Sequence, residues 1–181
     1  MYKNLQKYFL LFLITSTLSA CASGSRPEKM SVVADPSLSA PAKFANKISL
    51  AEISGGKETN PLLVSKVDNK SFTDALRASL LENGYLDESG NGRYALNAEL
   101  LGLEQPMIGF SFTVDSIVGY KLTDTRNNSV VYDKTIKSAG TATMGDSVLG
   151  VERLRISNEY SIQNNFKEFL KALSGKEEPT S

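Results

Sequence analysis

Two successive segments of this chain alternate apolar and polar residues with period two, which calls for a sheet with one dry face and one wet one. Over residues 94–103, Tyr94, Leu96, Ala98 and Leu100 fall on one side and Asn97 and Glu99 on the other. Next, Phe110, Phe112, Val114, Val118, Tyr120 and Leu122 oppose Ser111, Thr113, Asp115, Lys121 and Thr123. Successive side chains of a strand point to opposite faces, so each set lines one surface. Pro106 and Gly109 separate the first two segments. Residues 124–129 (DTRNNS) then supply a hairpin turn, and residues 130–143 return as a third strand. Such alternation belongs to an antiparallel meander covered on one face only.

The flanking segments supply the cover. Residues 47–53 (KISLAEI) read as a strand ended by Ser54-Gly55-Gly56, and Asn60-Pro61 marks a loop. Ser71 is expected to open a helix, with Asp74 three residues on as a weak capping box. Phe72, Ala75, Leu76, Ser79 and Leu80 follow at helical spacing, and Asn83-Gly84 stops them. Residues 87–92 make a polar turn. A final helix is expected over residues 147–173, its stripe formed by Ile162, Phe166, Phe169, Leu170 and Leu173, with Gly175 ending it. The expectation for residues 44–175 is therefore an α+β domain in the order β-α-β-β-β-α. Its four-stranded antiparallel sheet would carry two helices on one face. Residues 176–181 read as a frayed tail.

The N-terminus is of another kind. Lys3 and Lys7 precede the apolar residues 8–14, and small residues soon follow, which is the pattern of a secretory signal peptide over residues 1–20. The apolar run is too short for a membrane span, which needs roughly 20 residues. It closes on Leu18-Ser19-Ala20-Cys21, and Cys21 is the only cysteine in the chain. This tetrapeptide resembles the bacterial lipobox. The resemblance implies cleavage between Ala20 and Cys21, with a diacylglyceryl thioether on Cys21. One acyl chain anchors a protein only marginally, at about 0.8 kcal/mol per buried methylene, and the lipobox pathway supplies two or three chains. Ala22 and Ser23, in place of an aspartate, imply sorting to the outer membrane. Residues 22–43 hold three prolines and several serines, so residues 21–43 read as a lipidated flexible tether spanning about 25 Å. An edge strand at Ser31-Val32-Val33 is the alternative.

Composition excludes several kinds of chemistry. Removing residues 1–20 takes away two lysines and no acids, which leaves 161 of the 181 residues with 18 basic and 20 acidic side chains. That is one domain with a near-neutral surface, unlike the clustered basic face that nucleic acid demands. The chain contains no histidine, which removes the commonest general base and metal ligand. With Cys21 acylated, no thiolate site or disulfide remains. No catalytic residue, metal site or cofactor is expected.

The short motifs agree. Gly145-Asp146-Ser147 matches a serine-esterase block, but no histidine can take the serine proton, and a helix N-cap explains it better. Ser54-Gly55-Gly56-Lys57 lacks the glycine and the hydroxyl residue of a phosphate loop, so a turn is expected. Phe110, Phe112, Tyr120 and Tyr94 could line an acyl groove, but aromatics on a strand's alternating face are more often core. Lys134 and Lys137 suit a protected sheet edge.

Four further stretches carry a family resemblance: Phe72-Thr73-Asp74-Ala75-Leu76, Arg93-Tyr94-Ala95-Leu96-Asn97-Ala98, Val118-Gly119-Tyr120-Lys121-Leu122, and the closing Asn158-Glu159-Tyr160-Ser161-Ile162-Gln163-Asn164-Asn165-Phe166. Their order after a lipobox resembles small Gram-negative outer-membrane lipoproteins. These comprise YajG-like lipoproteins, auxiliary lipoproteins of ABC-type envelope transporters and the lipopolysaccharide-assembly lipoprotein. The resemblance implies a noncatalytic periplasmic domain held to the membrane through lipid on Cys21 and docking onto an envelope protein. The alternative is a lipid- or glycan-binding module, or an enzyme working with carboxylates such as Asp115 or Glu99.

Overall fold

The computed structural model describes residues 24–57, 66–106 and 109–175. A short helix α1 (Pro27–Met30) is followed by β1 (Ile48–Ser54), α2 (Asn69–Glu82), β2 (Tyr94–Glu104), β3 (Phe112–Asp124), β4 (Ser129–Ala142) and α3 (Gly150–Ser174). One four-stranded sheet has the order β1-β2-β3-β4. The expected β-α-β-β-β-α domain and its two-layer α+β form are present. The sheet, however, is mixed. β2, β3 and β4 form the expected antiparallel meander, with Asn97 opposite Lys121 and Val118 opposite Ile136, but β1 runs parallel to β2. The cause is α2, which carries the chain back along the sheet so that β2 starts at the same end as β1.

Helix α2 begins earlier than Ser71. Asp68 is its N-cap, accepting from the Ser71 backbone N–H at 2.8 Å and from its hydroxyl at 2.6 Å. Gly84, with φ of 75°, follows the C-cap Asn83 as the dipeptide suggested. Helix α3 starts at Gly150 after Leu149, which provides no side-chain cap, and ends on left-handed Gly175.

Residues 24–43 correct the tether reading. They form neither a free linker nor an edge strand. α1 packs against both α2 and α3, which meet each other through the Phe72 and Phe166 rings, 5.3 Å apart. Met30, Val32 and Leu38 are buried in the main core. The segment is irregular because helix side chains, not a strand, satisfy its backbone. The Val32 N–H donates to Ser79 Oγ (2.9 Å), Asp35 N–H to Asn83 Oδ1 (3.1 Å), and Gln163 Nε2 to the Ser31 carbonyl (2.9 Å). Tyr85 Oη lies 3.0 Å from the Leu38 carbonyl and 3.3 Å from that of Leu170, closing the same seam.

The aromatic core reading holds for three of its four residues. Tyr94 meets Phe44 edge-on at 5.1 Å, Tyr120 stacks on Phe169 at 4.1 Å, and Phe112 is buried. Phe110 is not core: it precedes β3 and is 83 % exposed.

Where α3 crosses β3 and β4 the interface is polar. Ser116, Ser157, Asn158, Ser161 and Asn165 are all buried there. Ser116 Oγ donates to the Ser161 carbonyl (2.9 Å), Asn165 Nδ2 to the Ile136 carbonyl (2.9 Å), and Tyr120 Oη to Asn165 Oδ1 (2.7 Å). Gly140 permits this closeness, since a Cβ at that position would stand 2.1 Å from the Ser161 backbone nitrogen.

Candidate functional site

Two surfaces are distinctive: the bare face of the sheet, and the end of the domain where the N-terminal segment joins it. On the bare face, a shallow depression of about 310 Å3 is lined by Glu52, Glu99, Lys121 and Asp133 around Leu101 and Gly119. Leu101 is exposed at its centre, and Gly119 keeps the floor low, since a Cβ there would lie 3.6 Å from the Leu101 side chain. Beside it, Lys137 on the edge strand β4 reaches Glu104 (2.7 Å) and Asp115 (3.1 Å) across the face. The Glu104 hydrogen bond, with that of Asp115, holds the lysine above its ordinary range.

The carboxylates proposed for acid–base chemistry are not brought together. Glu99 is registered with Gly119, whereas Asp115, four positions earlier in β3, is registered with Glu104, a separation of about 13 Å. Asp115 is engaged with Lys137, and Glu99 faces solvent on the depression rim. Among the described residues, no three acidic or cysteine side chains converge as a metal site would require.

The other end is built differently. Because β1, β2 and β4 run in one direction and β3 in the other, a single end of the domain collects the C-termini of β1, β2 and β4, the start of β3, and the N-termini of α2 and α3. The N-terminal segment joins here. The Ser25 N–H donates to the Lys66 carbonyl at 3.2 Å, and Lys66 shares a small cavity with Gln105 at the end of β2. Arg26 then fastens the segment to α3: its backbone N–H and Nε approach Glu159 Oε1 at 2.9 and 3.1 Å, and Nη2 reaches Oε2 at 3.1 Å. Glu159 is buried, and its hydrogen bond with Arg26 raises the guanidinium pKa against the opposing pull of desolvation.

Gly145-Asp146-Ser147 lies in the loop before α3 and forms a turn, not the helix cap. Asp146 Oδ2 accepts from the Thr143 N–H (2.8 Å) and hydroxyl (3.0 Å), and the backbone bond from Thr143, with its hydroxyl, keeps the carboxyl below its usual range. Ser147 Oγ donates to Glu152 Oε2 (3.0 Å) and accepts from the Leu149 N–H (3.1 Å). Gly55 and Gly56 follow β1 in an irregular stretch rather than the expected turn, and both are glycine for steric reasons. A Cβ on Gly55, whose φ is 89°, would stand 2.1 Å from the Leu100 carbonyl oxygen, and one on Gly56 would stand 2.3 Å from the Asn69 nitrogen. Cys21 and Ala20, the lipid attachment and cleavage positions, lie outside the described residues.

Sequence reasoning missed Arg26, Glu159 and the buried polar stripe of α3. The available signal was the spacing of Ser157, Ser161 and Asn165, which places polar groups on the helix face that carries Ile162, Phe166 and Phe169.

The sequence matches no family model and no curated protein. The fold has solved counterparts. A Xanthomonas campestris protein of the family DUF330 superposes with a TM-score of 0.60 over 86 % of this chain and 97 % of its own, at 12 % identity. A Caulobacter crescentus protein described provisionally as a lipoprotein gives 0.47 over 74 % and 94 % at 14 % identity. The PelC dodecamer of Paraburkholderia phytofirmans gives 0.48 over 75 % and 93 % at 19 % identity. The first of these places the chain in a two-layer α+β fold found in a bacterial protein of that family. At such identities the likeness is one of fold alone.

Proposed function

We propose that this chain is a lipid-anchored lipoprotein on the periplasmic face of the outer membrane, serving as a noncatalytic accessory or scaffold in envelope assembly or transport. The observation that carries the reading is positional. The lipobox cysteine stands three residues before Gly24, where the described fold begins, so the anchor abuts a packed domain directly. No helix among the described residues is long and apolar enough to cross a membrane, and acyl chains on Cys21 supply the attachment instead. The bare sheet face is the proposed docking surface for an envelope protein. It offers exposed Leu101 ringed by Glu52, Glu99, Lys121 and Asp133, an apolar centre within a polar rim.

Membrane fractionation combined with crosslinking and mass spectrometry tests this reading. The wild-type protein is expected in the outer-membrane fraction with a recurring envelope protein crosslinked near Leu101. Cys21→Ala is expected to lose that fraction. Unchanged fractionation of Cys21→Ala would overturn the anchor, and copurifying lipid without any protein crosslink would replace the scaffold with a lipid-binding module.

A further inference from the structure

The end of the domain nearest Cys21 carries an apolar surface that the proposed scaffold role leaves unexplained. The β3–β4 ladder closes on the pair Phe112 and Ala142. Phe110 and Met144 each stand two residues beyond that pair, at the same end of the ladder. Phe110 is 83 % exposed, and Val148 in the loop before α3 is 75 % exposed. Met144, Leu149 and Val151 are exposed as well. The loop before α3 is tied to the ladder end by Arg153, whose guanidinium lies 5.3 Å from the Phe112 ring and donates to the Ser147 and Val148 carbonyls at 2.9 Å each. Five exposed apolar side chains thus gather at this end of the domain. Exposed apolar surface of this kind marks interaction sites.

The length of chain outside the described fold identifies the occupant. Arg26 is fixed to Glu159, nine residues into α3, or roughly 13 Å from the helix start. Two residues, Ala22 and Ser23, separate Gly24 from Cys21, and the three steps of chain span at most about 11 Å. With Cys21 acylated, its lipid chains can come level with the apolar tip but cannot hold the tip far from the bilayer. Phe110 and its neighbours then meet the headgroup and upper acyl region, where side chains of this type bind. We propose that the tip formed by Phe110, Met144, Val148, Leu149 and Val151 rests in the membrane that holds the lipid of Cys21, so that the domain stands on the bilayer in one fixed orientation. This rests on the anchored-lipoprotein reading above. It also leaves the bare sheet face, which runs along the strands, directed sideways to partners in the periplasm.

The test uses the full lipoprotein reconstituted into phosphatidylethanolamine–phosphatidylglycerol vesicles. Because acylation consumes the only native thiol, an introduced cysteine takes a polarity-sensitive fluorophore at one place. Phe110→Cys and Val148→Cys probe the tip, and Asn127→Cys, in the exposed β3–β4 turn at the other end of the ladder, is the control. All three positions are exposed, so the fold tolerates the label. Labels at 110 and 148 are expected to shift to the blue, to lose aqueous iodide quenching several-fold, and to be quenched by spin-labelled lipid, while the label at 127 does none of these. Vesicles that float the protein while all three labels remain equally open to iodide would keep the anchor and overturn the tip contact. Tip labels shielded from iodide yet unquenched by lipid would mean a protein covers the tip, and would overturn it too. Failure to float would overturn the anchor itself, and the tip contact with it.

Discussion

At the scale of single residues, this domain is held together by polar contacts where a simple two-layer fold would place hydrocarbon. Tyr120, Asn165, Ser116 and Ser161 form a buried chain of hydrogen bonds between α3 and the sheet. Such groups are tolerated in a core only when each finds a partner. Their closeness depends on Gly140. Gly140→Ala would press a methyl group against the α3 backbone and is expected to lower stability by roughly 2–3 kcal/mol, or about 5–10 °C in melting temperature for a domain of this size. A melt unchanged within a degree would show that α3 shifts freely on the sheet. Titration behaviour also follows from individual contacts. Asp124 accepts from the Arg93 side chain at 2.7 and 2.9 Å, and this bond first, with the Arg126 N–H, holds its carboxyl below the usual range. Burial pushes Asp68 up, but the Ser71 hydroxyl and N–H outweigh it and leave the group depressed. A depressed folded-state value gives stability that is complete above the ordinary carboxylate value and lost as pH falls through the folded one. Burial pushes the Tyr85 phenol up to about 12. That contribution is complete below the unfolded value near 10 and fades as pH rises toward 12. With no histidine in the chain, melting followed by circular dichroism should be flat from about pH 5 to 9, falling below about 4 and above about 10. A sharp change near pH 6.5 would contradict this.

At the scale of elements, the strands were the most legible part of the sequence. Period-two alternation located β2 and β3 within a residue or two, because each has one dry and one wet face, and the hairpin turn over 124–129 located β4 as the returning strand. Parallel pairing of β1 was not legible from β1 itself, since a strand's own pattern does not tell which way its neighbour runs. The α2 connection held that information. The N-terminal segment was the clearest failure. Prolines and serines usually mean a linker, and here they mean a chain that borrows hydrogen bonds from Ser79, Asn83 and Gln163. Its anchoring residues, Met30, Val32 and Leu38, are spaced too irregularly to register as helix or strand. Likewise Glu159 and Arg26 are separated by 133 positions, so no local pattern pairs them. A chain that begins at residue 44, where sequence alone would place the domain boundary, is expected to lose cooperative unfolding. Each large apolar side chain removed from a core costs about 2–5 kcal/mol, and losing three approaches the whole stability of a typical domain. Cooperative melting of that truncated chain near the parent temperature would restore the linker reading.

At the scale of the whole molecule, the account is one of orientation. On the proposed anchoring, a lipobox three residues before Gly24 would set which end of the domain faces the bilayer, and the sheet topology places Phe110 and the loop before α3 at the end that the N-terminal segment joins. The bare sheet face, with its ion pairs between Lys137, Glu104 and Asp115, would then be presented sideways to the periplasm. Exposed pairs of this sort add little stability and serve better to keep the edge strand from uncontrolled pairing. All of this depends on Cys21 being the mature N-terminus. The most direct test is intact mass spectrometry of the protein extracted from membranes in detergent. The account predicts a single species beginning at Cys21 and heavier than its polypeptide by a diacylglyceryl group, with or without an additional N-linked acyl chain. A species with an unmodified cysteine, or one still carrying residues 1–20, would contradict it.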